Sequence, residues 1–249
     1  MSTLSILYAL LFYVAATTLV GGVAYKCWVY ARTPQPLKIP IPPAPTTRRG
    51  VALRMLAEVT LFRSLFRSNK WIWLFGWIFH AALLAVLLRH LRYFTEPVWA
   101  WVALIQPFGP YAGFAMLAGL AGLWARRFLV DRVRYISGPS DHLMLALLVA
   151  IAASGLAMKY LAHTNIVALK AFYLGLMAFE WHELPTDPTL LFHLALVAML
   201  MIVLPWSKLL HAPAVFFSPS LNQVDDARER RHAAGWSAQI VHADRAQGG

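Results

Sequence analysis

The chain has 249 residues, 59% of them hydrophobic and 13% charged, with a formal net charge of +11. A soluble domain carries about 45–50% apolar and about 25% charged residues, so the composition excludes an ordinary soluble fold and points to the bilayer. A charge this high otherwise signals nucleic acid. Here the basic residues lie between apolar runs, where they set membrane topology, and no nucleic-acid partner is expected.

Five apolar runs reach the about 20 residues that a helical crossing needs. The first, Leu4 to Tyr30, lacks the basic start and small-residue cleavage site of a signal peptide and is expected to be a retained span. It holds Cys27, the single cysteine, which excludes an internal disulfide and an iron–sulfur cluster held by this chain alone. No Cys-x-x-Cys-His occurs, so any haem is non-covalent. The next segment carries Arg32, Lys38, Arg48, Arg49, Arg54, Arg63, Arg67 and Lys70 against Glu58. Its proline-rich part, Thr33 to Pro45, is expected to be extended. Its second part, Val51 to Lys70, repeats apolar residues near helical spacing among Arg54, Arg63 and Arg67, which predicts an amphipathic helix at the membrane surface, able to dock a cytoplasmic partner.

The second span runs from Trp71 to Tyr93, the third from Phe108 to Phe128, the fourth from His142 to Leu161 and the fifth from Leu190 to His211. Spans three and four are joined through Arg126, Arg127, Arg132 and Arg134, with Asp131 and Asp141. By contrast, Thr95 to Pro107 carries only Glu96, and His163 to Pro188 sets Lys170 against Glu180, Glu183 and Asp187. The positive-inside rule then puts the N-terminus outside and the C-terminus in the cytoplasm. The fold class is an all-α integral membrane protein with five transmembrane helices. Residues 1–217 form the membrane domain, with the amphipathic loop 51–70. Residues 218–249 form a polar cytoplasmic tail, expected to be flexible or ordered only on a partner.

His80, His90, His142, His193 and His211 lie in or at the ends of spans, where a polar side chain is costly unless paired. His80 and His90 stand ten residues apart in span two, and His193 and His211 eighteen apart in span five. Eighteen residues make five helical turns, so an unbroken helix puts His193 and His211 on one face; ten residues leave His80 and His90 roughly 80° apart. The rises differ, at about 15 Å and about 27 Å, and a kink at Pro205 is expected to absorb part of the difference. The two spans run antiparallel, so His80 and His211 lie toward the cytoplasm and His90 and His193 toward the outside. These four are the candidate axial ligands of the iron in two bis-histidine haem b groups, paired His80/His211 and His90/His193. Gly76, Gly113, Gly119, Gly122 and Gly155 offer room for a flat ring or, equally, ordinary close helix packing.

These spacings, in these two spans, resemble the gamma subunit of respiratory nitrate reductase and its relatives over almost the whole membrane portion. Leu204-Pro-Trp-Ser-Lys-Leu-Leu-His211 is similar to that family's end of span five. Trp77-Ile-Phe-His80 and Leu88-Arg-His90-Leu-Arg-Tyr-Phe94 look most like the DsrM membrane subunit of the sulfite-reductase-associated Dsr complex. The resemblance implies a multi-pass protein of the bacterial or archaeal cytoplasmic (inner) membrane, in electron transport and sulfur metabolism. It also implies a quinone as exchangeable redox partner and a cytoplasmic iron–sulfur subunit related to heterodisulfide reductase. A periplasmic multihaem cytochrome c, a periplasmic iron–sulfur protein and a second membrane subunit complete the implied partners. The lysine that nitrate reductase gamma chains place near the outer haem is missing from the second loop and the start of span three, which argues against a true nitrate reductase partner.

Arg89 and Arg92 flank His90 and are candidates for haem-propionate contacts or for snorkelling to headgroups. Lys159 and His163 are candidates for a quinone carbonyl or, preferably, interfacial anchors. His142 is a candidate proton-linked group near a cytoplasmic quinone pocket or the inner haem or, preferably, an interfacial histidine after a helix start capped by Ser140 or Asp141. A haem-free scaffold or transporter with a histidine path is the competing class, and it lacks the broken-helix repeats of such folds.

Overall fold

A computed structural model describes residues 2–226. The part of the expected tail beyond Asp226 lies outside the described residues. Among the described residues five helices are long and apolar enough to cross a membrane: Thr3–Arg32, Lys70–Tyr93, Ala100–Leu129, Pro139–Ala162 and Pro188–Trp206. In chain order the α-helices are α1 (Thr3–Arg32), α2 (Arg48–Leu61), α3 (Arg63–Ser68), α4 (Lys70–His90), α5 (Ala100–Ile105), α6 (Gly109–Leu129), α7 (Asp131–Ile136), α8 (Pro139–Ala157), α9 (Ile166–Ala178), α10 (Pro188–Val203), α11 (His211–Ala214) and α12 (Pro219–Asn222).

The described residues divide into two compact units, 2–28 with 61–210 and 29–60 with 211–226. In the first unit, α4 packs on α6, α6 on α8 and α8 on α10. Phe79 and Ala82 of α4, Met116 and Leu120 of α6, and Leu148 and Ala152 of α8 form one buried cluster. Gly119 permits the α4–α6 approach, since a Cβ there would stand 2.9 Å from the Phe79 nitrogen. A second cluster joins Ala9, Phe12 and Ala15 of α1 to Leu169 and Phe172 of α9 and Leu190, Leu194 and Ala198 of α10.

Three local features depart from expectation. First, residues 51–70 are not one helix. α2 stops at Leu61, Phe62 takes a left-handed conformation (φ 49°), and α3 follows, ending at Asn69. The Asn69 side chain accepts from the Ile72 N–H at 3.0 Å and so starts α4 afresh. Phe66 packs on Trp73 with ring centroids 4.9 Å apart, so α3 folds back on the start of span two. Second, the outer connection between spans four and five contains the apolar helix α9. Asn165 caps its start, accepting from the N–H groups of Val167 and Ala168 at 3.1 Å. A left-handed Phe179 ends it, with the Glu180 N–H returning to the Gly175 carbonyl at 2.8 Å. Third, span five is broken rather than kinked. α10 ends at Val203, Leu204–Trp206 and Lys208–Leu210 are 3₁₀ turns, and Ser207 between them is extended.

In the second unit the proline-rich segment is extended, as expected, and the start of the tail is laced to it. The Ile41 N–H donates to the Ser220 carbonyl at 3.0 Å, and the Asp225 N–H to the Pro45 carbonyl at 2.9 Å. The Ile39 N–H donates to Gln223 Oε1 at 2.8 Å, and Lys38 pairs with Asp226 at 3.5 Å. Residues 218–226 are thus joined to the proline-rich segment of their own chain. Arg54 donates to the Ile41 carbonyl at 3.2 Å.

Candidate functional site

The span-two histidines are held by their own helix. His80 Nδ1 lies 2.7 Å from the Gly76 carbonyl and His90 Nδ1 2.6 Å from the Val86 carbonyl, each four residues back. A carbonyl only accepts, so Nδ1 carries the proton and Nε2 the lone pair in both rings. Phe62 stands edge-on to His80, with ring centroids 5.0 Å apart. Tyr93 lies 5.8 Å from His90.

His193 is buried on α10 and reaches across to α8, where its Nδ1 is 2.9 Å from Ser154 Oγ. A Cβ on Gly155 would stand 3.4 Å from the His193 ring, so Gly155 lets that ring lie against the α8 backbone. The other glycines serve helix packing: a Cβ on Gly122 would run into the Phe75 ring, one on Gly113 would stand 2.8 Å from Leu156, and one on Gly76 would stand 3.9 Å from Leu65. His211 begins α11 in the second unit and is exposed. Because the helix stops at Val203, counting turns from His193 to His211 does not put them on one face.

His142 differs in kind. Trp124 Nε1, which can only donate, lies 3.1 Å from His142 Nδ1, so the His142 proton sits on Nε2. This is the tautomer opposite to that of His80 and His90, and it suits packing rather than iron ligation through Nε2. Its neighbour Asp141 does start α8, as expected, accepting from the Gly138 N–H at 3.1 Å. It does more than that. The buried carboxylate takes Lys208 Nζ at 2.8 and 3.0 Å and lies 3.6 Å from Arg127, tying spans three and four to the turn after span five.

At the other end, Arg89 Nε and Arg92 Nη1 both donate to Gln106 Oε1, at 3.2 and 3.1 Å. The Gln106 amide in turn donates to the Arg89 carbonyl at 3.2 Å. Among the described residues no carboxylate lies at ion-pair distance from either arginine, so two cations beside His90 share one neutral acceptor. Gln106 was not legible as a site residue, because nothing in a lone glutamine between spans marks its neighbours. Lys159 sits in a π-helical turn that continues α8, and His163 is left-handed (φ 47°). Neither side chain makes a hydrogen bond or ion pair among the described residues. Over this end lies α9, with Lys170 paired to Glu96 and Tyr173 against Phe94, ring centroids 4.9 Å apart.

Among the described residues no three His, Cys, Asp or Glu side chains gather as a metal site. A bis-histidine haem needs none, since the porphyrin supplies four nitrogens and the protein two. The residues present fit that group: three imidazoles engaged through Nδ1, a glycine beside one ring, and two arginines near His90 that could hold propionates.

The model of the nitrate reductase gamma subunit family matches residues 60–224, which contain all four candidate ligands. A curated relative from Archaeoglobus fulgidus, the Hdr-like menaquinol oxidoreductase cytochrome b-like subunit, is 35% identical over 92% of this chain and 82% of its own. The protein of the same name from Archaeoglobus profundus is 32% identical over 94% of this chain and 83% of its own. With five spans and this match, the chain is a multi-pass protein of the archaeal or bacterial cytoplasmic membrane, and it belongs to the nitrate reductase gamma subunit family as a membrane cytochrome b electron-transfer subunit.

Proposed function

We propose that this chain is a di-haem b subunit that carries electrons between the quinone pool and a cytoplasmic iron–sulfur partner. The observation that carries the reading is the shared state of the span histidines. His80, His90 and His193 each engage Nδ1 in a hydrogen bond, the arrangement in which a histidine presents Nε2 to a metal. The proposed axial pairs are His80/His211 and His90/His193. The antiparallel order of spans two and five supports His90/His193, and the place of all four histidines within the matched residues 60–224 supports both. Arg89 and Arg92 offer two cations for propionates, with Gln106 holding them apart and oriented. The haems supply one-electron carriers. This chain's residues hold them in place, set the charge beside them and, through the two apolar clusters, keep water out.

The name of the two relatives supports menaquinol as the quinone and a heterodisulfide-reductase-like assembly. The DsrM resemblance supports a Dsr-type sulfur-metabolism complex with a related iron–sulfur subunit. Co-purification separates the two by the soluble subunits recovered. Quantified haem extraction tests the core of the proposal: two b haems per purified chain are expected, reducible by a menaquinol analogue. One haem per chain at full occupancy overturns it.

A further inference from the structure

Of His80, His90 and His193, the first two satisfy Nδ1 within their own helix, whereas His193 takes its partner from another span. We propose that Ser154 is a positioning residue for the outer haem. It fixes the His193 tautomer, aims its Nε2, and sets how strongly that imidazole donates to iron. The proposal rests on the haem reading above.

Proton accounting supports it. A serine hydroxyl has one proton and two lone pairs. Ser154 Oγ lies 2.7 Å from the Ala150 carbonyl and 3.1 Å from the Ile151 carbonyl. Carbonyls only accept, so the hydroxyl proton is committed to that pair. The 2.9 Å contact to His193 Nδ1 then has one remaining polarity, with Nδ1–H donating to Oγ. Nε2 is left unprotonated, as iron requires. Were Ser154 the donor to Nδ1, the ring proton would sit on Nε2 and ligation would fail. A serine in a helix often bonds the carbonyl four residues back with no further role. Ser154 differs by its second bond, made in a site where both groups are over nine-tenths buried, at 7% and 8% exposure. Gly155 adjoins it and admits the ring to the α8 backbone. The hydroxyl, polarised by its own donation, is a better acceptor than an isolated one.

An acceptor on Nδ1 makes the imidazole a stronger donor and favours ferric iron. Removing it should raise the potential of that haem alone. The test is a spectroelectrochemical titration of Ser154→Ala and Ser154→Thr, with low-spin ferric resonance spectra and haem content. Ser154→Ala removes atoms without adding any. It should lower the ferric-to-ferrous ratio of the outer component severalfold at fixed applied potential, where tenfold corresponds to about 59 mV for one electron. The outer component is defined as the one lost in His90→Ala. Its g-values should move, the inner component should not, and Ser154→Thr should restore both readouts, because threonine keeps the hydroxyl. An outer potential unmoved in Ser154→Ala overturns the proposal, as do equal shifts of both components or a threonine variant that behaves like alanine. Wild-type protein without a b-type spectrum would instead overturn the haem reading and this proposal together.

Discussion

Span two carries two candidate ligands and span five carries His193, with His211 beyond its end, and the chain fixes the ligands of the two spans by different physics. Span two runs unbroken through His80 and His90, and both rings rest on carbonyls of their own helix. Their orientation is a local property, set by helix periodicity. Span five ends its helix at Val203, leans His193 on Ser154 of span four, and buries Pro205 against Gly22 of span one. Its geometry is a property of its neighbours. A ligand satisfied by its own helix keeps its direction when helices shift. One satisfied across helices turns any change in packing into a change at the iron.

The largest effects test the pairing that the two spans make together. His90→Ala and His193→Ala should each abolish the same spectral component, and His80→Ala and His211→Ala the other, because one imidazole reaches only a few ångströms from its helix. The double variant within a pair should be little worse than either single, once expression is matched. If His80→Ala and His193→Ala remove the same component while His211→Ala removes the other, the antiparallel pairing is wrong.

A smaller effect should separate the local span from the dependent one. A Cβ on Gly22 would stand 2.6 Å from the Pro205 ring, while a Cβ on Gly21 meets nothing within 4 Å. Gly22→Val should therefore push span one off the break in span five, at a cost of about 1–3 kcal/mol for overpacking. Gly21→Val should be near neutral in thermal unfolding. The haem component that depends on His193 should also broaden or shift in the first variant only. Equal behaviour of the two variants would mean that span one does not support the break.

The contrast also explains what the sequence made legible. The five spans follow from apolar length, and the span-two histidines could be placed well because an unbroken helix obeys its period. Span five defeated the same reasoning: Pro205 marks a kink in a sequence, but whether the helix resumes depends on what packs around it. Ser154 looked like any small residue in a span, since its partner lies 39 positions away. Asp141 was readable as a helix start but not as the anchor of Lys208, for the same reason. α9 did leave a local signal, Asn165 before an apolar run, and the acidic residues of the surrounding loop masked it. Its stop at a left-handed phenylalanine, in place of the usual glycine, gave no warning.

The smallest predicted effect concerns the outer ends of spans one and five. The Ser2 N–H donates to both Glu183 oxygens, at 3.0 and 3.2 Å, and the Ser5 hydroxyl donates to Oε1 at 3.3 Å. Ser5 is fully buried and also accepts the Leu184 N–H at 3.0 Å, so the carboxylate closes a clasp between the start of the chain and the approach to α10. Hydrogen bonds from Ser2, with help from Ser5, hold the Glu183 carboxyl below its ordinary value of 4.5. A group whose pKa falls on folding adds stability that is fully present above the unfolded value and is lost as pH falls through the folded one. The clasp should therefore contribute at neutral pH and down to about pH 4.5, then fade in more acid solution. Glu183→Gln removes the charge at every pH. The gap in unfolding temperature between wild type and this variant should be constant near neutrality and close as the solution is acidified below 4.5. Glu183 is solvent-exposed, so the gap should be small and should narrow further at high salt. A gap that widened on acidification would reverse the sign and show that the protonated carboxyl, not the carboxylate, is the form the clasp holds.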